Sequence, residues 1–263
     1  MAVNKKRRIS KTSTLYIAIG VLLISVMTII GTSAFLSVKD FIVEGGSMYS
    51  AEEIVEASGL SPGDNLLFID SQNVSQRIRE ELPFVSDVEI KRVLPDTVSI
   101  DVTESIAVAS ITFAGEVYVI DSNGRLLSRS PVGEPAQSEM LQGLIEIRGA
   151  EIEETRVGGT LRPVFGSEVK MQYIQDILGA AEREGRISDM SYLDVSNIVN
   201  VYFGYMGRYR VILGGRESLR PSNLRHNFGR LSNIVSEIES RYPNTAGDID
   251  LSDESGSPKF TPT

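Results

Sequence analysis

The chain has 263 residues with 35 acidic and 26 basic side chains, one histidine, no cysteine and no tryptophan. Those counts exclude a disulfide framework, a cysteine metal site, a thiol nucleophile and a pair of histidines on a metal. Lys5, Lys6, Arg7, Arg8 and Lys11 crowd the start with no acid among them, leaving 21 basic against 35 acidic residues elsewhere, a balance of −14; that sign argues against nucleic acid and against flat adhesion to anionic lipid.

From Thr12 to Val38 there is no charged residue. The run Leu15 to Leu36, LYIAIGVLLISVMTIIGTSAFL, is long enough to cross a bilayer, which needs about 20 apolar residues as helix. The basic cluster precedes it, so the positive-inside rule puts the N-terminus in the cytoplasm and everything after Lys39 outside. Thr32-Ser33-Ala34 would pass as a signal-peptide cleavage site, but an h-region runs about 7–15 residues. The longer run predicts an uncleaved anchor at 14–37 behind a basic tail at 1–13.

Phe41-Ile42-Val43 reads as a short strand turned by Glu44-Gly45-Gly46. Ser50-x-x-Glu53 is a capping box opening a helix through Ala57, with Gly59 as its stop. A loop with Pro62 and Gly63 leads to Leu66-Leu67-Phe68. A second helix is predicted from Ser71 to Leu82, with Val74, Ile78 and Leu82 on one face and Pro83 ending it. Two alternating strands follow. In the first, Val88 and Ile90 oppose Asp87, Glu89 and Lys91. In the second, Val98, Ile100 and Val102 alternate with Thr97, Ser99, Asp101 and Thr103. Leu94-Pro95-Asp96 is the turn between them. The order strand, helix, helix, strand, strand predicts a small α+β unit over 40–106, with its helices on one face of a three-stranded sheet.

The runs FIVEGGSMYSAEEI, SGLSPGDNLLFID and LPFVSDVEIKRVLPDTVSIDVTES resemble a POTRA domain. Placed behind one membrane helix, that unit resembles the FtsQ/DivIB family of bacterial cell-division proteins. Arg92, Pro95 and Glu104 fall on the family's R-x-x-P-x-T-x-x-I-x-V-x-E pattern. The family's later basic residue and proline are absent; Ser105 and Ala107 stand there. IAVASITFAGEVYVIDSNGRLLSRS also resembles the family's continuation into a second domain.

In that second part, Glu116 to Leu127 reads as a hairpin around Asp121-Ser122-Asn123-Gly124. Ser130 to Glu139 reads as loop, and Leu141 to Ile147 as a short strand. Ser167 to Glu184 is predicted helical, with Val169, Tyr173, Ile177 and Ala180 on one face. Ser191–Val195, Ile198–Phe203 and Arg208–Leu213 are strand candidates. Pro221 to Arg241 is the clearest helix, with Leu224, Phe228, Leu231, Val235 and Ile238 in one stripe. Asp248–Leu251 and Pro258–Phe260 close the chain as strands. The expected architecture is α+β: a mainly antiparallel β-domain with packed helices over 107–251, then an edge strand or tail over 252–263.

Candidate chemistry is sparse. Ser167-x-x-Lys170 matches the serine–lysine pair of penicillin-interacting enzymes, which would make the chain an anchored wall enzyme. That motif needs S-x-N and K-T-G companions, and neither S-D-N nor K-T-G occurs; the plain reading of Ser167 is a helix N-cap. His226 lies off its helix's apolar stripe, facing water, without an orienting partner. Asp248, Asp250, Asp253 and Glu254 fail calcium-loop spacing, with Lys259 at the twelfth place. No cofactor is expected.

What remains is a binding module, since unpaired sheet edges must be covered and a partner's strand is one cover. The resemblance implies a scaffold that binds FtsB/DivIC-like and FtsL-like bitopic coiled-coil proteins, with a septal peptidoglycan synthase as a further partner, and so controls wall synthesis at the division septum. It implies a single-pass protein of the cytoplasmic membrane with the C-terminal domain outside. Carried over by position, its partner surface would be Asp250, Leu251, Ser252, Ser257, Lys259 and Phe260. Phe260 would be either the apolar anchor of that surface or a terminal residue that closes the core. A POTRA scaffold for secretion or membrane assembly is the other reading, but that class usually carries several POTRA repeats or a following barrel.

Overall fold

The computed structural model describes residues 11–135, 137–153, 155–253 and 258–263. Lys5, Lys6, Arg7, Arg8 and Ser257 lie outside them. Helix α1 (Lys11–Phe35) has a continuous 25-residue backbone. Its side chains at 11–14, 18, 28–30 and 32–34 fall outside the described set, Lys11 among them. Among the described residues alone, no helix is long and apolar enough to cross a membrane. Among the described side chains of α1, Tyr16, Leu22, Leu23 and Met27 are large, apolar and exposed, while the Ser25 hydroxyl donates to the Val21 carbonyl at 2.8 Å.

The chain then forms two compact units. The first runs to Ile78 and resumes over Asp87–Thr103; the second takes Arg79–Ser86 and Glu104–Thr263. The elements that follow α1 are β1 (Asp40–Glu44), α2 (Ala51–Ser58), a 3-10 turn (Leu66–Phe68), α3 (Ser71–Glu81), β2 (Val85–Val93) and β3 (Thr97–Glu104). The sheet order is β1-β3-β2, with β1 parallel to β3. The capping box forms as the sequence predicts: Glu53 N donates to Ser50 Oγ at 3.2 Å and Ser50 N to the Glu53 carboxylate at 2.8 Å. Gly59 ends α2 at φ 64°. Val98, Ile100 and Val102 are the buried set of β3.

The second unit continues with β4 (Ala109–Phe113), β5 (Glu116–Ile120), β6 (Leu126–Pro131), α4 (Gln137–Met140), β7 (Ile145–Arg148), α5 (Glu168–Arg183), a 3-10 turn (Ile187–Asp189), β8 (Met190–Asp194), β9 (Val201–Tyr205), β10 (Tyr209–Gly214), α6 (Pro221–Arg241), β11 (Gly247–Asp250) and β12 (Lys259–Pro262). Its nine strands run β12-β11-β10-β9-β8-β7-β4-β5-β6. The sheet is mixed: β4 with β7, β7 with β8, and β10 with β11 are parallel. Parallel neighbours need a crossover, and α6 supplies the one from β10 to β11. Helices α5 and α6 pack on each other and on the sheet, burying Ile174, Ile177, Leu178, Leu224, Phe228 and Leu231 in one core.

Several predicted boundaries move. The segment read as a strand from Ile198 starts at Val201, because Asn197 Oδ1 accepts the Val199 N–H at 3.1 Å and folds the chain into a turn. The segment read as loop from Ser130 is partly strand, β6 extending to Pro131 against β5. The strand read from Leu141 begins at Ile145.

The β4–β5 hairpin turns through Ala114 (φ 50°) and Gly115 (φ 82°), both left-handed, as a two-residue hairpin of this twist requires. Glycine takes that conformation freely and alanine does not, whereas asparagine tolerates it. Ala114→Asn is therefore expected to stabilise the second unit by about 0.5–1 kcal/mol, read as a raised urea midpoint at unchanged slope.

Tyr205 is 2 % exposed, and its phenol donates to the Asp189 carboxylate at 3.1 Å. Burial, then the Asp189 charge, pushes its pKa from 10.0 up to about 12. The neutral phenol thus adds stability that is complete below the unfolded value near pH 10 and is lost as pH rises through 12. Melting temperatures of the parent should fall more steeply above pH 10 than those of Tyr205→Phe; parallel curves would mean that Tyr205 is not the group titrating.

Candidate functional site at the carboxy-terminal sheet edge

The POTRA-pattern residues are placed by local ties. Arg92 Nη2 donates to the Ile69 carbonyl at 2.7 Å, fastening β2 to the segment after the 3-10 turn. Pro95 follows a cis peptide bond at the β2–β3 turn. Glu104 ends β3.

The catalytic candidates do not assemble. Ser167 stands at the N-cap position of α5 but its side chain makes no capping bond, so the plain N-cap reading holds by position only. The Lys170 ammonium is committed to the Gly149 carbonyl at 2.9 Å and the Glu151 carboxylate at 3.3 Å. His226 is exposed on α6. In the acidic cluster, Asp248 is ion-paired with Arg210 and Asp250 Oδ1 accepts the Ser252 N–H at 2.9 Å; Glu254 lies outside the described residues. Among the described residues, no three His, Asp or Glu side chains are placed to hold a metal ion.

The described members of the predicted partner set, Asp250, Leu251, Ser252, Lys259 and Phe260, lie together where β12 forms an outer edge of the sheet. It pairs antiparallel with β11 in the register Asp250↔Lys259, Ile249↔Phe260, Asp248↔Thr261 and Gly247↔Pro262. The Thr263 N–H reaches the Ala246 carbonyl at 3.1 Å. Gly247 N and Leu251 N turn the other way, to Arg208 O just before β10 and to Ile212 O on it. Hydrogen-bonded and non-hydrogen-bonded pairs alternate in an antiparallel ladder. Lys259, Thr261 and Thr263 therefore direct their backbone polar groups at β11, while Pro258, Phe260 and Pro262 direct theirs outward. Proline has no N–H, so the outer edge offers three carbonyls and one donor, the Phe260 N–H. Prolines at outward positions are a common guard on an edge strand.

The Phe260 ring closes the core. It meets Tyr209 edge-on at 6.2 Å and Tyr242 at 5.5 Å between centroids. A side chain at Gly247 would collide with it, a Cβ there lying 2.6 Å from the ring. Leu251 is 3 % exposed and points into the same core, so its side chain is not presented at the surface. Ser252 is half-buried, its carbonyl accepting the Ser218 hydroxyl at 2.7 Å. Lys259 is exposed.

Beside β12 lies a groove of about 410 Å³ between strand and helix, lined by Ile234, Ile238, Tyr242, Ile249, Pro258 and Phe260, with Glu237, Arg241 and Lys259 at its rim. The Tyr209 phenol donates to Glu239, and Arg208 pairs with the same carboxylate at 2.7 Å. The Tyr209 hydrogen bond, then the Asn244 N–H and Arg208, hold the Glu239 carboxyl below its usual range. This ion-pair network clamps the end of α6 to β10 and so fixes one wall of the groove. Sequence reading found the strand but not its guards; the only signal was the bracketing of PKFTP by two prolines.

Residues 36–105 match the model of the POTRA domain of FtsQ type. The chain is similar to the cell division protein DivIB of Clostridium tetani, at 24% identity over 201 residues, covering 76% of this chain and 72% of that one. It is similar to DivIB of Clostridium acetobutylicum at 23% over 220 residues, 83% of this chain and 80% of the other. Cell division protein FtsQ of Corynebacterium glutamicum is 32% identical over 142 residues, 52% of this chain and 63% of that one.

Proposed function

We propose that this chain, related over most of its length to the FtsQ/DivIB family of bacterial cell-division proteins, is a non-enzymatic division scaffold. Helix α1 anchors it in the cytoplasmic membrane with the basic tail inside. A helix that exposes Leu15, Ile17, Leu22, Leu23 and Met27 and carries its one described serine, Ser25, with the hydroxyl bonded to its own backbone is stable in lipid and not in water. Both units then lie outside the membrane. The POTRA unit brings the chain to the septum, and the second unit binds FtsB/DivIC-like and FtsL-like bitopic coiled-coil proteins and helps control septal peptidoglycan synthesis.

The observation that carries this reading is the outer edge of β12. An edge strand with one outward donor at Phe260, outward carbonyls on either side and an apolar groove alongside is suited to a short strand added from another chain. Such a partner would set its register on Phe260 and place an apolar side chain in the groove, with Glu237, Arg241 and Lys259 selecting among its charges.

Cross-linking and co-purification from native membranes test the proposal. The full chain is compared with a chain lacking 258–263. Removing β11 as well would delete Ile249 and Leu251 from the core and confuse folding with binding. Recovery of small coiled-coil division proteins, lost with β12, is the expected result. Recovery of translocase components, or of the same partners without β12, would refute the site. Ser167→Ala is expected to leave division unaffected; a division defect from it, in a chain that still folds and binds, would revive the enzyme reading.

A further inference from the structure

We infer that the end of the POTRA unit next to α1 is a lipid-docking surface, seated in the headgroup layer by Leu67, Phe68 and Leu94. The inference rests on the reading of α1 as a membrane anchor and adds a second, independent contact with the bilayer.

Helix α1 ends at Phe35, and the five residues after it are fastened to two loops. On one side Leu66 N donates to Leu36 O at 2.8 Å, Val38 N to Asp64 O at 2.7 Å and Gly63 N to Val38 O at 2.8 Å. On the other, Lys39 N and Asp40 N donate to Asp96 O at 2.8 and 3.3 Å, and the Lys39 ammonium meets the Asp96 carboxylate at 2.8 Å. These two loops carry bare apolar side chains: Phe68 is 85 % exposed, Leu94 67 % and Leu67 58 %. Phe35, at the helix end, is 65 % exposed. Leu66 between them is fully buried, so the turn that carries Leu67 and Phe68 is held by the core and projects them outward.

The dimensions agree. A 25-residue helix is about 37 Å long, against a hydrocarbon core of about 30 Å and about 40–45 Å with the headgroup regions. The helix therefore ends inside the interfacial layer. Leu67 and Phe68 follow a residue bonded to Leu36 and lie within about 7 Å of it along the chain, which leaves them in that layer too. The contact is apolar rather than electrostatic. Asp64 and Asp70 flank the 3-10 turn, and the cations on neighbouring segments are engaged: Lys39 with Asp96, Arg92 with the Ile69 carbonyl at 2.7 Å and Arg77 with the Ser58 carbonyl at 3.2 Å. A neutral headgroup is therefore accepted at least as well as an anionic one.

The chain contains no tryptophan, so one substitution gives one reporter. Phe68→Trp, Leu94→Trp and, for the anchor, Leu23→Trp are made singly in the full chain and reconstituted in vesicles of neutral lipid, or of neutral and anionic lipid mixed. The first two are expected to emit at shorter wavelength than in denaturant. Lipids brominated near the top of the acyl chain should quench them, at least as strongly in the neutral vesicles as in the mixed ones. Leu23→Trp should be quenched by lipids brominated deeper. If Phe68→Trp and Leu94→Trp were quenched by aqueous iodide while Leu23→Trp stayed in lipid, the docking surface would fall and the anchor would stand. Iodide access to all three would overturn both. Reporters open in vesicles and shielded only in native membranes would assign the patch to a protein partner and refute lipid docking.

Discussion

Phe228→Ala is expected to lower the stability of the second unit by about 3–5 kcal/mol, the largest effect of any single truncation argued from this structure. The ring is 1 % exposed and stacks on Phe203 with centroids 5.3 Å apart and planes 20° apart. Leu213, Leu231 and Leu251 surround the same space. The substitution leaves a cavity between α6 and the centre of the sheet, where rigid strands on one side and α5 on the other limit collapse. Helix α6 also connects parallel β10 to β11, so a loosened helix loosens the strand that carries β12. Urea unfolding should show the loss, and partner binding should weaken at temperatures where the parent still binds. A cost under about 1 kcal/mol would mean that the site collapses readily and that α6 does not hold the edge.

What could be read in the sequence was what depends on near neighbours. The Ser50–Glu53 box, the Gly124 turn and the five-residue stripe of α6 formed as expected because each is decided within one or two turns of chain. The five stripe residues are all buried. The parallel joins of β4 to β7 and of β7 to β8 were not legible, since no local signal tells a strand which distant strand lies beside it. Ile198 and Val199 were misread because β-branched residues favour strands, while the side chain of Asn197 captures the backbone first. The role of Phe260 stayed open in the sequence for the same reason. Its fate depends on a glycine at 247 and tyrosines at 209 and 242, and nothing within PKFTP announces them.

Phe260 separates the core role of β12 from its proposed role as a docking edge, because its ring packs on Tyr209 and Tyr242 while its N–H faces outward. Phe260→Ala removes the ring and keeps the donor. Because the ring is half-buried, the expected cost is about 1–2 kcal/mol, felt as fraying of β12 from β11 and read by faster amide exchange at Asp248 and Asp250. Partner affinity should fall about tenfold, since a frayed strand must be ordered again on binding and each 1.4 kcal/mol is a factor of ten. Phe260→Pro removes ring and donor together. An outward position on an edge strand tolerates proline, so β12 should remain about as well attached as with alanine. Binding should fall by a further tenfold or so, because the partner's facing carbonyl loses its only hydrogen-bond donor on this edge. Equal affinities for the two variants, at equal exchange rates in β11, would show that no strand pairs with the edge and that the groove alone holds the partner. A Phe260→Ala chain that bound as tightly as the parent would remove β12 from the site altogether.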